Sequence, residues 1–227
     1  MIKSTLFAAA AFALACSTAS ATTVITADQA VGGEAGASGL LGTYWHVPAG
    51  ATGYNLADTL AARNANAASG TFVSSNVAYY GGDGTSITDF LGSDGASYVG
   101  TVSDLSDGIL EFKGYIQITA PGTVYFAFNH DDAAQLTVGN QVLLSQNCCG
   151  FQVEDAVFST AGMYAINLVY ANTYYYGWGG AVLEMSADGQ NVGGMFQSVP
   201  EPGSMSLMLV GALGLLAGAR RRKSNQG

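Results

Sequence analysis

The stretch from 38 to 190 predicts an all-β fold, an antiparallel β-sandwich carrying one short helix. Composition is the first reason. The chain has 31 Gly, 12 Tyr and 10 Phe against only 7 Lys and Arg, a balance that favours strands and turns over helices. Alternation is the second. Leu110, Phe112, Ile116 and Ile118 recur with polar residues between them, and Tyr164, Ile166, Leu168 and Tyr170 share one face. Punctuation is the third, since turn signals at Pro121-Gly122, Gly139-Asn140 and Ala161-Gly162 separate seven or more short strands.

The elements follow in chain order. Lys3, the apolar run Leu6 to Ala15 and the small residues Ala19-Ser20-Ala21 predict a signal helix over 1–21, cleaved near Thr22 at the Ala19 and Ala21 signature. Residues 22–37 are small and glycine-rich and predict a leader or a first edge strand. Gly39 to Trp45 reads as a strand entering the domain. Leu56, Leu60 and Ala61 have helical spacing and predict a helix over Leu56 to Ala65. Phe72 to Tyr80 alternates as one strand, and Gly81 to Ser97 is a loop with a short turn near Ile87 to Leu91. Further strands are predicted over Leu110 to Thr119, Thr123 to Phe128, Gln135 to Val138, Gln141 to Leu144, Val153 to Phe158, Met163 to Tyr170 and Ala181 to Met185. Gly139-Asn140 is the tight hairpin turn among them. Residues 191–203 form a linker, 204–219 an apolar transmembrane helix and 220–227 a basic cytoplasmic tail.

Charge narrows the function classes. Residues 22–202 hold all 16 acidic side chains but only Arg63 and Lys113 as bases, so their net charge is 2 − 16 = −14. Such a surface repels nucleic acid and anionic lipid and leaves carboxylates free for divalent cations. A solvated surface is the role of most of these acids. Cys148 and Cys149 are adjacent, and three fates stay open to them: a vicinal disulfide, pairing between chains, or free thiols. Two thiols alone make no zinc site, because structural zinc takes four ligands.

The carboxyl end is a unit of its own. Pro200, Glu201 and Pro202 precede 16 apolar residues, Ser204 to Ala219, and then Arg220-Arg221-Arg222-Lys223. A helix of that length spans roughly 24 Å, a little under the roughly 30 Å hydrocarbon core. The basic cluster should stay cytoplasmic, which places everything before Pro200 outside. This end resembles the PEP-CTERM tail of exported bacterial proteins. The resemblance implies an exosortase-type membrane protease as partner, transient anchoring in the inner membrane, and delivery to the cell envelope, the cell surface or the medium.

The order of segments within the domain resembles the anthrax-protective-antigen-type β-sandwich, which is jelly-roll-like and lectin-like. The resemblance rests on Gly39-Leu40 and Tyr44, on Phe112-x-Gly114-x-Ile116-x-Ile118, on Pro121-Gly122-x-Val124-Tyr125-Phe126, on Asn129 to Leu136, and on Ala161-Gly162-Met163-Tyr164 with Ile166, Leu168 and Tyr170. Ala133 and Val138 depart from it, standing where the family often has Gly and Asp. In its lectin branch two consecutive aspartates hold calcium, and calcium holds sugar hydroxyls. That implies Asp131 and Asp132 as metal ligands, with Asn172 as a further oxygen donor. Calcium needs six to eight oxygens, so the pair supplies only part of the shell. Tyr174, Tyr175, Tyr176 and Trp178 lie between the last two long strands, where that branch places a sugar-contacting loop. The plainer alternatives are that the aspartates only cap a turn and that the aromatic loop folds back as core.

No Gly-x-Ser-x-Gly elbow, zinc-protease helix or P-loop is present, so no catalytic set is expected. The leading expectation is a non-catalytic, calcium-assisted module that binds cell-surface or extracellular polysaccharide and contacts no nucleic acid. A structural envelope or matrix protein is the alternative, and a hydrolase a remote one.

Overall fold

The computed structural model describes residues 22–31, 37–82, 84–102, 104–173 and 180–198. The predicted signal helix with Ala19 and Ala21, the aromatic residues Tyr174 to Trp178, Pro200-Glu201-Pro202 and the predicted transmembrane helix lie outside them. Among the described residues no helix is long and apolar enough to cross a membrane.

Two sheets face each other. The early strands are β1 (Thr23–Ile25), β2 (Ala30–Val31), β3 (Leu40–His46), β4 (Gly70–Ser74), β5 (Ala78–Gly82) and β6 (Val99–Gly100). The long strands that build the centre are β7 (Gly108–Ile118), β8 (Gly122–Asp131), β9 (Ala134–Val138), β10 (Gln141–Gln146), β11 (Gly150–Phe158), β12 (Gly162–Asn172) and β13 (Gly180–Ala187). Short β14 (Gln190–Asn191) and β15 (Phe196–Gln197) close the domain. One sheet runs β1-β11-β8-β13-β14, with β5 also on β13. The other runs β10-β9-β12-β7-β3-β4-β6, with β15 on β7 and β2 on β12. Every pairing is antiparallel except the short parallel edge of β1 on β11. The packed unit therefore exceeds the predicted 38–190 span at both ends, with Ile25 and Phe196 fully buried.

The alternation read from sequence is what joins the layers. Phe112 and Ile116 of β7, and Tyr164, Ile166, Leu168 and Tyr170 of β12, meet Phe126 and Phe128 of β8 and Leu183 of β13 in one core. Aromatic rings order it: Tyr79 stacks on Phe112 at 5.9 Å, and Phe90 on Tyr170 at 6.0 Å. The hairpin between β9 and β10 turns at Gly139-Asn140, both with positive φ, 55° and 66°. That is the primed-turn geometry whose twist matches the flanking strands.

Two expectations need correction. The predicted strand Phe72 to Tyr80 is two strands, because the chain crosses from one sheet to the other at Ser75–Val77. Asp94 organises the crossing, accepting from the Ser75 amide at 3.0 Å, the Ser75 hydroxyl at 2.6 Å and the Tyr79 hydroxyl at 2.7 Å. The helix α1 spans Leu56–Ala65 as expected, but it buries Leu56, Thr59 and Ala62 and leaves Ala61 exposed. Its apolar side packs over Ile109 and Val169, on the outer face of the larger sheet. Its N-cap, Asn55, accepts from the Asp58 amide at 2.8 Å.

Both bases of the 22–202 region are spent on one buried carboxylate. Arg63 Nη1 lies 2.6 Å from Glu111 Oε1, and Lys113 Nζ lies 2.7 Å from Oε2. Asn167 also donates to Glu111, at 3.2 Å. The Glu111 side chain is 5% exposed and that of Lys113 53%, so the Arg63 partner carries most of the interaction. Glu111→Ala should lower stability by about 3 kcal/mol, because it strands a largely buried guanidinium. Lys113→Ala should change it by less than about 1 kcal/mol. Urea unfolding of the two variants checks the contrast.

Candidate functional site

The candidate site is the corner where the chain leaves β8 and enters β9. Phe126, Phe128 and His130 point into the core, so strand alternation turns Asp131 away from it. The Asp131–Asp132 peptide is cis, a geometry otherwise almost confined to proline. Both aspartates are half-buried.

The end of β12 holds this corner. The Asp132 amide donates to the Ala171 carbonyl at 3.0 Å, and the Ala171 amide donates to the Ala133 carbonyl at 2.9 Å. The Tyr170 hydroxyl donates to the Asp131 carbonyl. Burial, with the nearby Asp132 and Asp131 charges, pushes the Tyr170 phenol well above its ordinary range, so it stays a donor. The Thr173 amide donates to Asp132 Oδ2 at 2.7 Å. Thr173 is itself fixed by a buried 2.6 Å hydroxyl contact with Thr52.

The Thr173 bond orients the Asp132 carboxylate. With Asp132 Oδ2 engaged by Thr173, Oδ1 is the oxygen left to accept a cation. Burial is the main cause that raises the Asp132 carboxyl from 3.8 to about 6; the neighbouring Asp131 adds to the rise, and the Thr173 amide opposes it. The site thus holds one proton at mildly acid pH, which a bound cation would have to displace.

Asn172, the third predicted metal ligand, ends β12 one residue before Thr173. Its Nδ2 donates to the Leu105 carbonyl at 3.4 Å, which leaves Oδ1 as its atom for a cation. Tyr174, Tyr175, Tyr176 and Trp178 lie outside the described residues, but both roots of their segment are defined. Thr173 binds Asp132, and a Cβ placed on Gly180 would come within 3.7 Å of Asp131 Oδ2. The segment therefore starts and ends beside the aspartate pair.

Cys148 and Cys149 form a disulfide with each other. Strand register brings it here: Gly150 opens β11 opposite His130 of β8. Cys149 Sγ lies 2.9 Å from Asp131 Oδ1. A disulfide sulfur has no proton to donate, so this is a contact. The preceding residue, Asn147, accepts the Leu56 amide at 3.0 Å and ties the cysteine loop to the start of α1.

The sequence reading passed over the residues that support the pair. His130, near the end of β8, is buried. Its Nδ1 lies 2.7 Å from the Asp132 carbonyl, and since a carbonyl only accepts, Nδ1 carries the proton. Its Nε2 is buried without a partner among the described residues. The period of β8 could have flagged it, because His130 falls on the same face as Phe126 and Phe128. Thr52 and Thr173 carry no such signal, and the period that puts Tyr170 on the core face does not show its long-range bond to the Asp131 carbonyl.

Two outcomes follow. Asp132 binds a proton more tightly in the folded chain than in the unfolded one, so its contribution to stability is greatest below pH 4. That contribution falls as pH rises towards 6. The wild-type minus Asp132→Asn difference in melting temperature, followed in chelator, should fall across that window and level off above it. Tyr170→Phe should cost about 1 kcal/mol or more, because the Asp131 carbonyl loses its donor, measured by urea unfolding.

A model of the PEP-CTERM protein-sorting motif matches residues 198–223. No curated protein matches the sequence. Among solved structures, the PA14 domain of the MpAFP antifreeze protein is 22% identical with TM-score 0.60, covering 76% of this chain and 96% of that one. The PA14 sugar-binding domain from an RTX adhesin is 24% identical with TM-score 0.51, covering 70% and 93%. The A domain of Epithelial Adhesin 6 from Candida glabrata, solved in complex with Galβ1-3GlcNAc, is 12% identical with TM-score 0.52, covering 76% and 92%. The described domain has the PA14 fold, the protective-antigen-type sandwich, and the chain carries a PEP-CTERM protein-sorting motif at its carboxyl end.

Proposed function

We propose that this protein is exported to the cell envelope or surface, where its sandwich serves as a non-catalytic carbohydrate-binding or adhesion module assisted by calcium. The observation that carries the reading is the aspartate corner. Two adjacent carboxylates stand at a corner that the end of β12 holds, the Asp132 one oriented by Thr173, and both roots of an aromatic segment flank them. Calcium takes hard oxygen ligands and accepts sugar hydroxyls in the rest of its shell. Asp131 and Asp132 would supply carboxylate oxygens and Asn172 a carbonyl oxygen. Tyr174, Tyr175, Tyr176 and Trp178 would offer apolar faces to the sugar ring. Support comes also from the structural neighbours, one a sugar-binding domain and another solved with a disaccharide. The sorting motif supports an exosortase-type membrane protease as processing partner, with the tail as a transient inner-membrane anchor.

One observation favours a second reading, a structural protein of the envelope or matrix. The smaller sheet exposes Tyr80, Tyr125, Phe151 and Val153, and Phe151 is 70% exposed. A face of that kind suits contact with another protein.

Calcium decides between them. Melting of the full chain in calcium and in chelator should differ; a ligand at a hundred times its dissociation constant adds roughly 2.7 kcal/mol. The difference should grow as pH rises through 6, where Asp132 loses its proton, and should vanish in the Asp131→Asn/Asp132→Asn variant. Retention on polysaccharide should follow the same pattern, and Trp178→Ala should weaken retention without lowering the melting temperature. If calcium produces no shift and the chain is not retained on polysaccharide, the carbohydrate-module reading is wrong and the structural one takes its place.

A further inference from the structure

The aspartate pair and the cysteine pair form one cluster. Donor atoms of Asp131, Asp132, Cys148 and Cys149 all lie within 4.8 Å of one another. Asp131 Oδ1 and Asp132 Oδ1 stand 2.9 and 3.8 Å from Cys149 Sγ. Thr173 holds the other Asp132 oxygen at 2.7 Å, so the carboxylate presents Oδ1 to the sulfurs in a fixed orientation. The cysteines are exposed and the aspartates half-buried, so the cluster opens to solvent on its sulfur side.

We propose that the redox state of Cys148 and Cys149 sets the class of metal this corner takes, and that the dithiol form holds a thiophilic divalent cation such as zinc between two thiolates and two carboxylates. As a disulfide the sulfurs carry no negative charge and are poor ligands. The corner then offers only hard oxygens, which suit calcium. Reduction by a dithiol changes the donor set. Two electrons enter the S–S bond and break it, the reductant closes its own disulfide, and its two protons pass to Cys148 and Cys149. Zinc binding then releases both protons to solvent as the thiolates coordinate. Two thiolates and two carboxylates complete a four-coordinate shell, the number zinc prefers. Two adjacent cysteines fall short of that shell alone, and the fold supplies the other two ligands from Asp131 and Asp132. The inference stands whether or not the disulfide form binds calcium.

The test uses the full chain carrying Cys16→Ser, which leaves Cys148 and Cys149 as its only cysteines. One sample stays oxidised. The other is reduced with a water-soluble phosphine, which is oxidised in the dithiol's place, and freed of it under nitrogen. Both are titrated with zinc against a chromophoric chelator, then with cobalt. The reduced chain should take up one zinc and show thiolate-to-cobalt charge-transfer absorption, and the oxidised chain should show neither. Asp131→Asn/Asp132→Asn should weaken zinc binding by about tenfold or more, as loss of ligands or their supports typically does. Alkylating the reduced wild-type chain with iodoacetamide should abolish binding with no mutation involved. Equal zinc affinity of the two redox forms overturns the proposal, and so does zinc that survives alkylation or binds undiminished to the aspartate variant. Calcium titration of the oxidised chain reads the carbohydrate-module proposal separately.

Discussion

The chain changes sheets at Asp131–Ala133, and the end of β12 makes that change possible. Asp132, Ala133 and Ala171 exchange backbone hydrogen bonds there, and the Tyr170 hydroxyl takes the Asp131 carbonyl. Backbone groups at a half-buried corner must find partners, because an unpaired one costs about as much as a lost hydrogen bond. The same bonds set the start of β9, which pairs Ala134 with Tyr170. They also hold the two carboxylates side by side. Sandwich closure and site geometry therefore rest on one set of contacts.

Electrostatics follow from how the few cations are used. Arg63 and Lys113 both pair with Glu111 under α1. No base of the 22–202 region then remains for the aspartate corner, and burial raises the Asp132 carboxyl to about 6. A small apolar domain tolerates such a corner when the charge stays partly wet, protonates, or meets a cation. The exposed disulfide at its rim makes the third option depend on what the sulfurs are.

Much of the layering was legible in sequence because strand period reports burial directly. Tyr164, Ile166, Leu168 and Tyr170 were placed on one face, and all four are buried. Leu56 to Ala65 was read as a helix and is one. The misplaced elements have a common cause. Phe72 to Tyr80 looks continuous, yet Asp94 folds it at Ser75 from far along the chain. Ala61 has the spacing of a buried residue, but α1 lies on the larger sheet through Leu56, Thr59 and Ala62. The strand predicted over Thr123 to Phe128 runs on to Asp131 as β8, which draws His130 inside.

By itself the sequence determined the fold class, the sorting motif and the presence of an adjacent aspartate pair, because period, composition and short motifs are local properties. Only the tertiary structure decided what surrounds that pair. Thr173 is 41 residues from Asp132, Tyr170 is 39 from Asp131, and Cys149 is 18 from Asp131. Such neighbours are chosen by sheet order and register, and register is a property of two strands together, which no single stretch of sequence carries.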